Sequence, residues 1–238
     1  MTTVGTYDMT LGQGGAYQDD EVTSNGHSVT TITALDAAQL GAIDTLYVTN
    51  PSNSDYSASY TSALATIDSA VAGGMNLVMF DRYVTGAETI LPGGASLTVV
   101  RDMTDDTNVD LASTAPSWFT NGPAGTIDST MFDGGTSSNH GYVTLASLPA
   151  GAVPLLTTGD PNHVVAFTYP YGDGMVFYST IPLDFYSAAE NTAITSAEVN
   201  TLFGNVIYGM GLTPPICFAK GTRIATQTGP RRVQDLRV

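Results

Sequence analysis

Apolar and polar positions fall into blocks whose period changes along the chain, and each change marks an element. Residues 4–9 give a short strand pattern that reaches Asp8, and Thr10-Leu11-Gly12-Gln13-Gly14-Gly15 reads as the loop after it. Residues 16–23 predict a helix with Asp19, Asp20 and Glu21 in its early turns, where the helix dipole favours acids, and Asn25-Gly26 ends it. Residues 29–35, rich in β-branched side chains, predict a second strand, and residues 45–49 a third. In residues 57–72, Leu64, Ile67 and Val71 recur at spacings of three and four, so they share one helical face that Gly73-Gly74 closes. Residues 75–80, Met-Asn-Leu-Val-Met-Phe, form the nearly continuous apolar run of a strand buried on both faces of a parallel sheet.

Strand, helix and strand at this spacing predict βαβ units with right-handed crossovers, and hence an α/β domain around an open, mainly parallel sheet. The second half is less regular. Residues 86–141 carry several turn signals and a short helix around Ser117 and Phe119. Residues 143–148 and 164–169 are strand-like; Tyr171-Gly172-Asp173-Gly174 then turns the chain and residues 175–180 return as a hairpin partner. Residues 195–208 close the body as a helix with Val199, Leu202, Phe203, Val206 and Ile207 on its buried side and Ser196 as its cap.

Charge divides the chain in two. The net charge of −15 arises from only 7 basic and 22 acidic side chains among 238 residues, which excludes a basic patch for nucleic acid or anionic lipid. Residues 1–216 hold Arg82 and Arg101 against 21 acids; the last 22 residues hold Lys220, Arg223, Arg231, Arg232 and Arg237 against Asp235. The reversal predicts a body over 1–212, a stiff linker over 213–216 containing Pro214-Pro215, and a separate tail over 217–238 with two strand-like segments, 222–226 and 231–236. No apolar run approaches the ~18 residues that span a bilayer, so membrane insertion is not expected. The amino-terminal residues show no cleavable signal, and an acidic, lysine-free body suits an extracellular or cell-surface protein exported without a signal peptide.

Candidate chemistry collects where parallel strands end. Asp8, then Asn50 with Asn53 and Asp55, then Asp81 with Arg82 and Tyr83 fall at the predicted carboxyl edge, where open parallel sheets bind ligands. That set could hold a hard cation or a polar sugar, or serve only as caps and turn formers. Asp102, Asp105, Asp106 and Asp110 read as a solvated loop, with loose calcium coordination as the alternative. No other cofactor is expected: His27, His140 and His163 lack metal-ligand spacing, and Gly12-Gln13-Gly14-Gly15 matches neither the dinucleotide fingerprint nor a phosphate loop with its lysine.

Two resemblances add to this reading. The segment from His163 through Tyr171-Gly-Asp-Gly and Met175-Val-Phe-Tyr-Ser-Thr-Ile-Pro, the helix ending Asn205-Val-Ile-Tyr-Gly, and Asn25-Gly-His27-Ser-Val-Thr resemble class I glutamine amidotransferase-like domains of the trehalose-utilisation type. This covers most of residues 1–212 and implies a flavodoxin-like open sheet with helices on both faces. Active members place a cysteine at the tight turn after a central strand; here that turn is Phe80-Asp81-Arg82-Tyr83, so thiol chemistry does not carry over. The second block, Cys217-Phe-Ala-Lys-Gly-Thr-Arg-Ile-Ala-Thr followed by Val233-Gln-Asp235-Leu236, resembles the opening of a bacterial Hint (hedgehog/intein) domain. By that resemblance Cys217 would attack the carbonyl of Ile216 to form a thioester in a longer parent; the later Thr-x-x-His and His-Asn blocks do not occur in this sequence.

The leading expectation is therefore a non-catalytic passenger module of a Hint-containing bacterial protein, with a binding or assembly role. A carboxylate-dependent hydrolase or sugar-processing enzyme at the strand edge is the second, and a structural subunit of an extracellular assembly the third. Self-association or binding to an extracellular polymer fits the first and third.

Overall fold

The structure, a computed structural model, describes residues 1–9, 17–104, 107–135, 137–187 and 194–212, together with backbone pairing at 223–224 and 231–232. In chain order the elements of the first half are β1 (Thr3–Asp8), α1 (Gln18–Ser24), β2 (Ser28–Thr31), α2 (Ala37–Leu40), β3 (Thr45–Asn50), α3 (Ala58–Ser62), α4 (Leu64–Ala72) and β4 (Asn76–Asp81). The second half contains β5 (Val99–Arg101), β6 (Asp110–Leu111), α5 (Ser117–Thr120), β7 (Asn121–Gly122), β8 (Gly125–Thr126), β9 (Gly141–Thr144), β10 (Val153–Thr157), β11 (His163–Tyr171), β12 (Gly174–Ser179), α6 (Leu183–Ser187) and α7 (Ser196–Gly211). In the tail, β13 (Arg223–Ile224) pairs with β14 (Arg231–Arg232).

The main sheet has the order β2-β1-β3-β4-β12-β11-β10-β6. Its left part, β2 through β12, is parallel; β11, β10 and β6 continue it with antiparallel pairings, and β9 joins β11 and β5 off this path. The strand order turns back between β1 and β3, as in flavodoxin-like sheets, and it is beside such a switch point, at the strand carboxyl ends, that open parallel sheets bind ligands.

Strand pleating explains why both faces are covered. In β3 Tyr47 enters one core cluster while Leu46 and Val48 enter the other; in β4 Val78 and Phe80 oppose Leu77 and Met79; in β12 Phe177 opposes Val176 and Tyr178. The first cluster is closed by α7 through Val199, Leu202, Phe203 and Val206, with Val22 of α1 and Phe119 of α5; the second by Ile67 and Val71 of α4 with Tyr60 of α3. Tyr47 meets Phe203 at a 4.7 Å centroid distance, which seats α7 directly on β3.

The α/β architecture with helices on both faces agrees with the sequence, and several boundaries are corrected. The strand expected over 29–35 leaves the sheet after Thr31, because the Gln39 side-chain oxygen accepts from the amides of Thr33 and Ala34 and draws the chain into a turn. The helix expected over 57–72 breaks at Ala63 (φ −96°, ψ 1°) into α3 and α4. The strand expected over 143–148 stops at Thr144 and becomes a short 3₁₀ turn at Leu145–Ser147. Thr195, not Ser196, caps α7: its hydroxyl accepts from the Glu198 amide while the Glu198 carboxylate accepts from the Thr195 amide.

A buried amide holds the lower corner together. Asn205 of α7 donates to the carbonyls of Phe119 (2.8 Å) and Gly125 (3.0 Å) and accepts from the Ala124 amide (3.1 Å), joining α5 and the β7–β8 hairpin to α7. Asn205→Ala leaves three backbone groups without their partner, so a loss of about 2–4 kcal/mol is expected in urea unfolding. A loss under about 0.5 kcal/mol, the size of an ordinary surface effect, contradicts this role.

Candidate functional site

Parallel register sets the ends of the central strands side by side, with Asp8 opposite Thr49 and Asn50 opposite Asp81. Asp81 is fully buried. Its Oδ1 accepts from the Asn50 side-chain amide (3.0 Å) and the Tyr83 backbone amide (3.0 Å); its Oδ2 accepts from the hydroxyls of Tyr56 (2.8 Å) and Tyr178 (2.9 Å) and from the Val84 amide (3.1 Å). Burial pushes the carboxyl above its ordinary value, and the donors pull it back. Both oxygens are committed, so Asp81 clamps the turn rather than facing a ligand. The clamped turn holds Val84 at φ 64°, a left-handed conformation that a β-branched residue rarely adopts.

The other residues expected at this edge divide between two roles. Asn50 also donates to the Asp55 carbonyl (3.2 Å) and accepts from the Ser52 amide (3.2 Å), which saturates its side chain. The Asp55 carboxylate turns outward to the Ser52 hydroxyl (2.6 Å) as a loop cap. Asp8 accepts from the Thr49 hydroxyl at 3.4 Å.

Both arginines of the body converge on the turn after β4. Arg101 donates from Nη1 to the carbonyls of Arg82 (2.8 Å) and Tyr83 (2.6 Å), and from Nη2 to Asn53 (3.2 Å). His140 Nδ1 lies 2.7 Å from the same Arg82 carbonyl. The Arg82 guanidinium reaches across to Asp184 of α6 (2.5 Å) and lies 5.7 Å over the Phe185 ring, while its Nε is buried without a hydrogen-bond partner among the described residues. Burial raises the Asp184 carboxyl to about 6 even though Arg82 draws it down; at this depth desolvation outweighs the ion pair.

On the α1 side of the crevice stands a second buried carboxyl that the sequence reading placed only as a dipole acid. Glu21 accepts from Tyr47 of β3 and contacts the Ser187 hydroxyl of α6. Burial lifts it to about 8, with smaller upward contributions from Asp184 and Asp20. Proton counting agrees: Ser187 Oγ lies within hydrogen-bond distance of both Glu21 and the Leu183 carbonyl (2.7 Å), and one hydroxyl has one proton to donate. A neutral Glu21 resolves this, donating to Ser187 while Ser187 donates to Leu183 and Tyr47 to Glu21. A signal was available in the sequence, because Gln18, Glu21 and Val22 share the buried stripe of α1.

The remaining expected residues lie apart. His27 is at the opposite end of the sheet, beside the amino terminus, where burial lowers its affinity for a proton. His163 stacks on Tyr142 at 3.5 Å, 3.8 Å from Asp160. Asp102 accepts from the amide (2.9 Å) and hydroxyl (2.7 Å) of Thr104, which hold its carboxyl below its usual range, and Asp110 belongs to β6. Asp105, Asp106 and Cys217 lie outside the described residues. Among the described residues no group of three or more His, Cys, Asp or Glu side chains is placed to hold a metal ion.

No family model and no curated protein matches the chain. Solved structures do. A cytoplasmic protein of Salmonella typhimurium is 12% identical with a TM-score of 0.57, covering 88% of this chain and 99% of its own. A chain of PurLQS from Thermotoga maritima is 10% identical with a TM-score of 0.51, covering 87% and 99%. An exo-β-1,4-mannosidase of an Opitutaceae bacterium is 11% identical with a TM-score of 0.51, covering 90% of this chain but 36% of the enzyme's. At these identities the likeness is one of fold alone, a flavodoxin-like α/β sheet.

Glu21 gives the body a specific pH dependence. An unfolded Glu titrates near its ordinary 4.5 and the folded one near about 8, so between these values the native state holds a proton that the unfolded state has lost. This contribution is complete below about 4.5 and is lost as pH rises to about 8, with a limiting slope of ~1.4 kcal/mol per pH unit. Glu21→Gln keeps both hydrogen bonds and cannot ionise. Urea midpoints measured from pH 5 to 9 are expected to fall less steeply in the variant and to cross above wild type at the alkaline end; parallel curves overturn the assignment.

Proposed function

We propose that residues 1–212 form a non-catalytic binding module on an amidotransferase-like fold, carried ahead of a tail whose block at Cys217 resembles the start of a Hint domain. The observation that supports it is the turn after β4. Where that fold presents a nucleophile, this chain has Asp81 with both oxygens saturated, followed by Arg82 paired inward with Asp184 and Val84 clamped through its amide. No thiol or hydroxyl occupies the apex of that turn other than Tyr83.

A second reading, a carboxylate-dependent hydrolase, is favoured by one specific feature. Glu21 and Asp184 are buried carboxyls with affinities pushed apart, to about 8 and about 6, which is the division of an acid from a base.

Two measurements separate these readings. The 238-residue chain is expected to release no ammonia from glutamine and to hydrolyse no aryl glycoside or ester above buffer; turnover that disappears in both Glu21→Gln and Asp184→Asn transfers the assignment to the hydrolase. Asp81→Asn puts an amide donor against committed donors, so a stability loss of about 2–4 kcal/mol is expected from that variant whatever its activity. Unchanged stability would show that Asp81 is not the anchor.

The tail has its own test. With a thiol present, mass spectrometry is expected to show the 238-residue chain intact at Ile216-Cys217, and a longer protein carrying the later Hint blocks to cleave there through Cys217. Cleavage of the short chain, or of a Cys217→Ala parent, refutes the thioester assignment.

A further inference from the structure

Away from the β4 turn, α1 and α7 lie side by side, and the seam between them is hollow. A cavity of about 190 Å³ at its upper end is lined by Tyr17, Asp20, Glu21, Ser187, Ser196 and Asn200, among others. A larger hollow of about 680 Å³ continues below, where Ser24, His27, Thr201 and Tyr208 contribute to its wall. The two share Asn200 and so adjoin at that residue along the seam. Asn25 fixes its floor by donating to the carbonyls of Glu21 (2.9 Å) and Asn200 (3.4 Å), and Gly204 allows the close approach: a Cβ there would stand 2.0 Å from Asn25 Oδ1.

Three properties of this groove select the chemistry of what it can hold. Neither cavity has a lysine or arginine in its wall among the described residues, and the one cation there is the amino-terminal ammonium of Met1 beside His27, so a phosphate, sulfate or uronate chain meets a single counter-charge at the lower end on a body that is itself strongly acidic. The wall contains hydroxyl and amide groups that both give and accept hydrogen bonds, set among apolar side chains such as Pro123, Ile207 and Leu212, and His27 Nδ1 has no hydrogen-bond partner among the described residues. Tyr17, at 38% exposure, and Tyr208, at 45%, stand near the two ends, each offering an aromatic face beside polar groups. From Ser196 to Tyr208 the α7 axis advances ~18 Å, so the groove matches an extended chain better than a single small molecule.

We propose that the α1–α7 groove binds a linear, uncharged saccharide chain, its hydroxyls meeting Asn200, Ser24, Ser196 and Thr201 and its apolar ring faces resting on Tyr17 and Tyr208. The proposal rests on reading the body as a binding module and gives that module its ligand class. It places recognition on the helices, away from the saturated turn after β4.

The test uses the 238-residue chain titrated calorimetrically with four neutral hexasaccharides: β-1,4-linked glucose, β-1,3-linked glucose, α-1,4-linked glucose and β-1,4-linked mannose. At least one is expected to bind with Kd below about 1 mM, and hexagalacturonate is not expected to bind. Tyr208→Ala and Asn200→Ala, changes outside the core, are each expected to weaken binding at least tenfold with unchanged circular dichroism, and Tyr17→Ala to weaken the same ligand. The assignment is overturned if none of the four binds, if hexagalacturonate binds as well as the best of them, or if binding survives in the Tyr17→Ala/Tyr208→Ala double variant. Chromatography of the same mixtures keeps the two readings apart. Shortened products overturn the non-catalytic reading and leave the groove standing; absence of binding removes the groove and leaves the non-catalytic reading standing.

Discussion

The buried carboxylate of Asp81 fixes more of this molecule than any other single group. An ionised side chain inside a sheet is tolerated only when its oxygens are met by donors, and here the donors come from Asn50 at the end of β3, Tyr56 in the following loop, Tyr178 of β12 and the turn after β4 itself. Three parallel strands are thereby tied at one point. With the turn fixed, the Arg82 carbonyl faces Arg101 and His140, which draws β5 and the approach to β9 onto the edge of the parallel sheet. The Arg82 side chain leaves in the other direction to Asp184, and α6 is held over the crevice as a result.

Scarcity of cations gives this arrangement its consequence for function. Residues 1–216 have two arginines, and both are consumed in holding the β4 turn. The described surface therefore offers mainly hydroxyls, amides, carboxylates and tyrosine rings. Long-range attraction of anions is unavailable to it, and selectivity must come from short hydrogen bonds and shape. With both arginines of the body engaged in the turn, its remaining charged side chains are carboxylates.

Particular residues show how far the sequence could be read. Residues 45–49 and 75–80 were legible as buried parallel strands because their burial on both faces leaves no polar alternation to confuse the period. Helix α7 was legible because its apolar stripe is long and regular, although its cap was displaced by one residue. The break at Ala63 was not: alanine is the best helix former, so local preference does not announce it, and Tyr60 and Ile67 on either side of it both enter the second core. Asn50 and Asp81 were correctly placed at one edge, yet their saturation depends on Tyr178, 97 residues beyond Asp81, and no local pattern announces such a donor. The block at Cys217 carries a sequence resemblance whose structural counterpart falls outside the described residues.

The crevice also shows that depth alone does not decide charge. Asp81 and Glu21 are both removed from water at the same end of the sheet, but Asp81 faces five donors, three of which are amide groups unable to accept a proton in return. Its ionised form is the one those contacts fit. Glu21 meets two hydroxyls, and one of them already has a carbonyl to satisfy, so the proton stays on the carboxyl. One side of the switch point is therefore an anionic anchor and the other a neutral acid, and the difference follows from the kind of donor each backbone path delivers. This explains how a chain so rich in carboxylates can bury two of them beside a third, Asp184, with one arginine: the stored negative charge in the crevice is smaller than the number of acidic side chains suggests.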